Sequence, residues 1–403
     1  MIIVGGTYLE ECDWPEWNRL MGPGLRAALA VSELSKDTEL YTYCHANNRA
    51  DLDLTTSSFG ITTTVRSWDD VIRFFYKHPL SSPPQIEPEA SQTDSENQPN
   101  PEASPWEVTG AVVLAFGMLE IGVKVNAERA IIEWSRYDRR VIRGKINTLA
   151  LIAAETELPE GFVLDVNDPD AAAELMTAWN AELMLVRRQA GGAVLFFGEE
   201  RTEVPAHAAS EWFKIGAGNV FAAMFAYYWG EQRCSPLQAA DLASRSSALY
   251  ASTRTLPIIH RDLLPPAEVF NPTATCKIFV ASPCYSMAQQ WLLNEAIASL
   301  ERLGVEVVSP YDLGLDGVRV ESKDIGEVLE GCKAVLVLAE GADVPSVLAV
   351  GLAHVRNLPI VVLSEEAKEH RLQLWSGTDC EVARDFASAV YRAMVAGRRN
   401  LQK

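Results

Sequence analysis

The sequence predicts two α/β domains, each built on a largely parallel sheet with helices on both faces. Short apolar runs alternate with helix-like stretches along most of the chain. A double proline in "HRDLLPPAEVFNPTAT" interrupts this pattern, which restarts at "CKIFVASP". The chain has 403 residues, of which 48% are hydrophobic, so it is long and apolar enough to form two separate cores.

The first predicted domain covers residues 1–270. The runs "GAVVLAFGML", "FVLDVND" and "AELMLVRR" are typical of buried strands, and "DAAAELMTAWNAEL" is typical of a helix. One segment, residues 78–105, is rich in Pro, Ser, Glu and Gln and has almost no apolar side chain to bury. We therefore predict a disordered surface insertion within this domain.

The second predicted domain covers residues 275–403 and is smaller. Its apolar periodicity predicts four strands and four helices in alternation, which indicates a parallel sheet. The predicted strands are 277–281, 305–309, 334–338 and 359–363, and the predicted helices are 287–303, 325–329, 346–356 and 382–395.

Charge and composition exclude several classes of partner. A formal net charge of -19 argues against nucleic acid, because binding a phosphate polymer relies on an excess of Lys and Arg, although a local basic pocket for one small anion is compatible with it. We find neither a signal peptide nor an apolar run long enough to span a membrane, so we predict a cytoplasmic protein without a membrane partner. The seven cysteines are scattered and form no CxxC pair, so we predict neither a disulfide framework nor a metal site.

The stretch "IGAGNVFAA" is the first candidate site. A glycine-rich turn that opens a helix presents unpaired N–H groups and the positive end of the helix dipole, which together stabilise a phosphate. Gly216, Ala217 and Gly218 are the residues that form this turn, and Asn219 follows them. A tight packing turn without any ligand is the alternative interpretation of three such residues taken alone.

Residues 1–270 resemble the ribokinase, or PfkB, family of sugar and nucleoside kinases. "IIVGGTYLE", "MGPGLRAALA", "ALIAAETEL", "LMLVRRQAGGAVLF" and "IGAGNVFAA" are similar, in order, to five segments of that family. The resemblance implies a ribokinase-like doubly wound domain that binds ATP or another nucleotide, with or without Mg²⁺. It also implies that Glu10 contacts substrate hydroxyls, that Glu157 helps to organise magnesium and phosphate, and that Arg26 lies at the substrate end.

The departures from this family fall at its functional positions. Asn219 stands where the family has the aspartate that takes a proton from the attacking hydroxyl, and an amide is not basic enough for that role. Ala154 and Arg26 replace the asparagines of the metal and substrate segments, and Met21 and Gln189 replace glycines. We therefore expect a catalytically impaired kinase fold. Arg26 would favour an anionic ligand, unless it is only a solvated helix residue.

Residues 275–403 resemble the nucleoside 2-deoxyribosyltransferase family. "FVASP" is similar to the turn after its first strand, and "AEGADVPSVLAVGLAHVRNLPIVVL" is similar to its second motif. The resemblance implies a flavodoxin- or Rossmann-like parallel sheet whose ligand-binding residues include Ser282, Pro283, Asp343, Ser346 and Gly351. The glutamate nucleophile of the family falls at Ala349, and a methyl group cannot attack a sugar.

Further departures accompany Ala349. Pro345 replaces a glycine of the same motif, and Lys333 lies where the preceding strand begins with aspartate in the family. Glu340 is the one nearby carboxylate considered as a substitute nucleophile, and a solvated loop residue is the competing interpretation.

Together these observations predict a nucleotide- or nucleoside-binding sensor or regulatory protein. By analogy alone, anti-phage defence is one setting for such domains. An active PfkB-type kinase that uses another base, such as Glu157, is the main alternative, and a structural protein with two empty pockets is the third. Both families commonly self-associate, so we expect a homo-oligomer, and a separate protein partner stays an open alternative.

Overall fold

The computed structural model of the protein describes residues 1–81, 83–88, 105–117, 122–134, 141–155, 166, 168–309, 322–339, 344–365 and 379–401. The chain forms two compact units. The first contains Met1–Ala209 and Phe213–Glu268, and the second contains Ser210–Trp212 and Val269–Lys403. The second unit is therefore discontinuous in sequence.

The first unit contains fourteen strands in its described part. They are β1 (Ile2–Val4), β2 (Leu9–Cys12), β3 (Trp17–Leu20), β4 (Glu39–His45), β5 (Thr62–Trp68), β6 (Arg73–Tyr76), β7 (Gln85–Glu87), β8 (Trp106–Phe116), β9 (Val123–Trp134), β10 (Val141–Ala154), β11 (Leu183–Arg187), β12 (Ala193–Phe197), β13 (Glu200–Val204) and β14 (Ala206–His207).

Nine of these strands form one large sheet in the order β13-β12-β11-β10-β9-β8-β1-β4-β5. The seven strands from β11 to β5 in this order run parallel to one another. At one edge, β12 pairs antiparallel with β11, and β13 pairs antiparallel with β12. Parallel strands are buried on both faces, which explains why β8 and β11 are recognisable as apolar runs in the sequence. The long strands β9 and β10 lie where the sequence analysis assigned no element.

Helices cover both faces of the large sheet, so the predicted doubly wound α/β fold is confirmed. The described helices of this unit are α1 (Gly22–Val31), α2 (Arg49–Ser58), α3 (Pro169–Trp179), α4 (Ala217–Phe225) and α5 (Pro236–Thr253). Helices α1, α4 and α5 share one apolar cluster with the sheet, and α3 contributes to the cluster on the opposite face.

A second, four-stranded sheet of this unit corrects one prediction. Its order is β3-β2-β6-β7, and β7 lies inside the segment 78–105 that we predicted to be disordered. Ile86 of β7 is buried against Tyr8 and Ile72, and β7 pairs antiparallel with β6. One apolar side chain was enough to order this strand, and the average composition of the segment concealed it. Residues 89–104 lie outside the described residues.

The second unit contains β15 (Val269–Phe270), β16 (Lys277–Ala281), β17 (Glu306–Val308), β18 (Ala334–Leu338), β19 (Ile360–Leu363) and β20 (Glu381–Ala383), with α6 (Met287–Arg302), α7 (Ser322–Gly331), α8 (Val344–Val355) and α9 (Phe386–Arg399). Its five-stranded sheet is entirely parallel and has the order β17-β16-β18-β19-β20. This is the flavodoxin-like order, so the predicted fold class of the smaller domain is confirmed.

The tripeptide Ser210–Trp212 packs within the second unit on α9. The Trp212 ring stacks on Tyr391 with ring centroids 3.8 Å apart, and its backbone N–H donates to Ser388 Oγ at 2.9 Å. Glu211 accepts a hydrogen bond from Arg392 Nη2 at 2.8 Å. No described helix of either unit is long and apolar enough to cross a membrane.

The last helix begins later than predicted. Val382 lies in β20 rather than in a helix, because Asp385 caps α9 by accepting the backbone N–H of Ser388 at 2.9 Å. A three-residue edge strand is too short to show alternation in the sequence, so the pattern merged it with the helix.

We expect Asp385→Ala to lower the free energy of unfolding of the second unit by about 1–2 kcal/mol, because the buried cap satisfies an otherwise unpaired helix N–H. Asp385→Asn is the matched control, since asparagine caps a helix equally well. Urea unfolding measures both variants, and equal destabilisation by Ala and Asn would contradict the capping role.

Candidate functional site

The glycine-rich turn at Gly216 leads into α4, as the sequence predicted. Gly216 has φ +79°, a left-handed conformation that favours glycine. The amide of Ala217 donates to Lys214 O at 3.0 Å, and that of Val220 donates to Gly216 O at 3.1 Å. Within the described part of the chain, the amides of Gly218 and Asn219 have no acceptor. The positive end of α4 therefore keeps two free donors.

Arg26 of α1 is completely buried. It bonds both to Glu10, the expected substrate-binding residue, and to Asn219, which stands at the expected position of the base. Its Nη1 donates to Glu10 Oε1 at 2.9 Å and to Asn219 Oδ1 at 3.1 Å. Its Nη2 donates to the other Glu10 oxygen, so the ion pair is bidentate. The Nε donates to the Tyr250 hydroxyl at 3.1 Å. Every nitrogen of the guanidinium is thus bonded, and Arg26 is not a solvated helix residue.

Backbone groups fix this network on both sides. Glu10 Oε1 also accepts the N–H of Gly22, at 3.2 Å, at the start of α1. The Tyr250 hydroxyl donates to Ile215 O at 3.2 Å, directly before the glycine turn. Gly216 itself lies against the guanidinium, because a Cβ added there would be 2.1 Å from Arg26 Cζ. The glycine is therefore required by Arg26 as well as by its own backbone conformation.

Burial and the neighbouring groups shift the pKa of the Arg26 guanidinium in opposite directions. Burial alone would lower the pKa of its guanidinium, but Glu10 and Tyr250 outweigh that effect and the pKa is raised above its usual value. Burial likewise raises the pKa of the Tyr250 phenol, against the neighbouring positive charge of Arg26. At neutral pH the site therefore holds a permanent cation and a neutral phenol.

A second arginine lies at the other glycine of the turn. Arg187, at the end of β11, donates to Glu133 Oε1 at 2.5 Å, and Glu133 lies near the end of β9. A Cβ at Gly218 would be 1.8 Å from Arg187 Nη1, so this guanidinium lies directly against the turn. Both residues lie at the carboxyl ends of parallel strands, which is where such sheets bind ligands.

The structure thus brings together three residues that the sequence singled out separately, Glu10, Arg26 and Asn219. Sequence reasoning missed Tyr250 and Glu133, which lie in none of the quoted segments. It also gave no role to Arg187, although this residue lies within "LMLVRRQAGGAVLF". Ala154 ends β10, and Met21 precedes α1. Glu157, Glu340 and Asp343 lie outside the described residues.

In the second unit, Ser282 and Pro283 follow β16 at the carboxyl edge of its sheet, and Ser346 is buried in the first turn of α8. Ala349 is fully buried in the apolar core between α8 and the sheet. Gly351 is exposed, and a Cβ added there would meet nothing within 4 Å. Gly351 therefore lies on the outer face of α8, and its role in binding a ligand stays a prediction.

Comparisons with known proteins show likeness to solved structures only. No protein-family model and no curated protein matches the chain. A pyrophosphate-dependent kinase in the ribokinase family, complexed with a pyrophosphate analogue and myo-inositol, is 13% identical, with a TM-score of 0.43 and coverage of 65% of this chain and 98% of that chain.

Two further structures give similar values. Phosphofructokinase-2 from Escherichia coli, in complex with potassium, is 11% identical with a TM-score of 0.43, covering 65% of this chain and 96% of its own. Ribokinase from Giardia lamblia is 11% identical with a TM-score of 0.44, and the match covers 63% of this chain and 93% of that chain. At such identity and score the likeness says nothing about the ligand or the activity of this chain.

We expect Arg26→Met to lower the free energy of unfolding of the first unit by about 3–5 kcal/mol, because it leaves the Glu10 carboxylate buried without its cation. Adding Glu10→Gln should recover most of that loss. Arg49→Met is the matched control, since Arg49 pairs with Asp53 on the surface and should contribute about 0–1 kcal/mol. A loss as small as that of the control, measured by denaturant unfolding, would show that the network is not structural.

Proposed function

We propose that the protein recognises a nucleotide or nucleoside without transferring a phosphoryl group, and that it acts as a sensor or regulatory protein. One observation carries this proposal. The Arg26 guanidinium is bonded at once to Glu10, at the expected substrate position, and to Asn219, at the expected base position. The Arg26 side chain therefore already bonds to Glu10 and Asn219, the two side chains to which a substrate hydroxyl would be expected to bond.

The energetics of the ion pair support the same conclusion. A substrate hydroxyl that took the place of Arg26 on Glu10 would break this ion pair, and breaking a buried ion pair costs about 3–5 kcal/mol. One hydrogen bond from a neutral hydroxyl returns about 0.5–1.5 kcal/mol net, or about 1.5–3 kcal/mol when its partner is charged. The exchange is therefore unfavourable for a neutral sugar.

The chemistry at Asn219 is a second obstacle to phosphoryl transfer. Its amide oxygen already accepts a hydrogen bond from Arg26, and an amide cannot take up a proton near neutral pH. Loss of a general base costs about 10²–10⁴ in rate.

Nucleotide phosphates would bind at the positive end of α4. The free amides of Gly218 and Asn219 and the cation of Arg187 are the donors there, and none of them depends on the missing base. In the second unit, a nucleoside would bind where the strand order reverses between β16 and β18, beside the buried Ser282. The analogy with anti-phage defence adds no residue to either site.

An active kinase is the second candidate function. It requires another base, and Glu157, the residue considered for that role, lies outside the described residues. The sensor and the kinase would both bind a nucleotide, but only the kinase would transfer its phosphoryl group.

We expect the unmodified protein and Asn219→Asp to form ADP from ATP only at the background rate with common sugars and nucleosides. An aspartate at position 219 would lie beside Arg26 Nη1 and form an ion pair, which lowers the pKa of the carboxyl and weakens it as a base. A coupled ADP assay, with an active sugar kinase as positive control, measures this. Robust turnover by the unmodified protein would establish the kinase instead.

We also expect ATP and ADP to bind with heat detectable by calorimetry at up to millimolar concentration, with or without Mg²⁺. Gly218→Ala should abolish that binding, because the added methyl group displaces Arg187 from the turn. Gly326→Ala is the matched control, since its methyl group would meet only Arg356 Nη2, at 3.4 Å. Absence of binding by the unmodified protein would contradict the nucleotide assignment.

A further inference from the structure

Two arginines flank the Arg26 network without taking part in it. Arg19 of β3 lies over the Trp17 ring, with its Cζ 5.9 Å from the ring centroid. Arg254, which caps α5, lies over the Phe213 ring at 4.9 Å. The two rings pack on each other with centroids 4.9 Å apart. Cation–π contacts therefore hold both guanidinium groups in defined positions.

Neither arginine has a carboxylate partner. In the part of the chain that the structure describes, no Asp or Glu oxygen lies within 4 Å of Arg19 or Arg254, and neither side chain donates a hydrogen bond. This is unusual in a chain with a net charge of -19. Five N–H donors on each guanidinium are left for solvent or for a ligand.

Both arginines are next to the same buried network. Arg19 is the cross-strand partner of Glu10 in the β2–β3 pair. Arg254 follows Tyr250 by one turn of α5, and its backbone N–H donates to Tyr250 O at 2.7 Å. Glu10 forms its ion pair with Arg26. Arg19 and Arg254 therefore add two positive charges beside the Arg26 network that no ion pair among the described residues neutralises.

We propose that a small organic phosphate binds over the Arg26 network and is held by Arg19 and Arg254. Guanidinium groups match phosphate oxygens in geometry and charge, and a stacked guanidinium loses less freedom on binding than a mobile one. Arg26 excludes a neutral sugar from Glu10, whereas the surrounding positive charge attracts an anion. This inference rests on the proposed function in that the ligand is bound and not phosphorylated.

The test compares ribose 5-phosphate with ribose by calorimetry on the full chain. We expect ribose 5-phosphate to bind, ribose to give no heat, and inorganic phosphate to compete. Arg19→Gln and Arg254→Gln should each weaken binding by about tenfold or more, since each removes charge-assisted hydrogen bonds to the phosphate. Arg49→Gln is the matched surface control and should bind as the unmodified protein does.

Several outcomes would overturn the inference. These are equal binding of ribose and ribose 5-phosphate, no binding of either, or loss of binding in Arg187→Gln with Arg19→Gln unaffected, which would place the phosphate on the α4 turn. Arg19 is exposed, so its variant tests the site even if Arg254→Gln does not fold. The ADP assay distinguishes the two proposals, because turnover would contradict the proposed function while phosphate binding that depends on Arg19 would still support the site.

Discussion

The buried pair of Arg26 and Glu10 is the interaction on which the organisation of the first unit's site depends. It connects α1 to β2, and through Tyr250 and Asn219 it also connects α5 to the start of α4. A buried guanidinium is costly unless it is paired and hydrogen-bonded, and here Glu10, Asn219 and Tyr250 between them accept hydrogen bonds from all three of its nitrogens. Two backbone groups, Gly22 N–H and Ile215 O, bond in turn to Glu10 and Tyr250. This one cation therefore links all four elements that surround the site.

The Arg26 network also gives a second structural reason for the glycines of the turn at Gly216. Such a turn is usually explained by a phosphate that must approach the backbone closely. In this protein Gly216 makes room for the side chain of Arg26, and Gly218 makes room for that of Arg187. The same sequence pattern therefore satisfies an internal cation and an external anion equally well, and only the side chains around it distinguish the two.

The sequence was a good guide to the elements of the second unit and a partial guide to the site of the first. Strands β16 and β18 are buried on both faces and have the predicted bounds, since a continuous apolar run between turns is unambiguous. Glu10, Arg26 and Asn219 were each singled out, but their mutual contacts join positions up to 193 residues apart and no local pattern encodes them. Tyr250 could not be recognised, because a tyrosine inside a helix carries no motif.

The tripeptide Ser210–Trp212 has a consequence for the inheritance of the two units. A domain that is continuous in sequence can be moved to another protein by a single recombination event. The second unit lacks that freedom, because a fragment starting at Val269 leaves behind the tryptophan that stacks on Tyr391 and the acid that pairs with Arg392. A fragment that encodes the second unit with all of these contacts must therefore also carry residues 210–212.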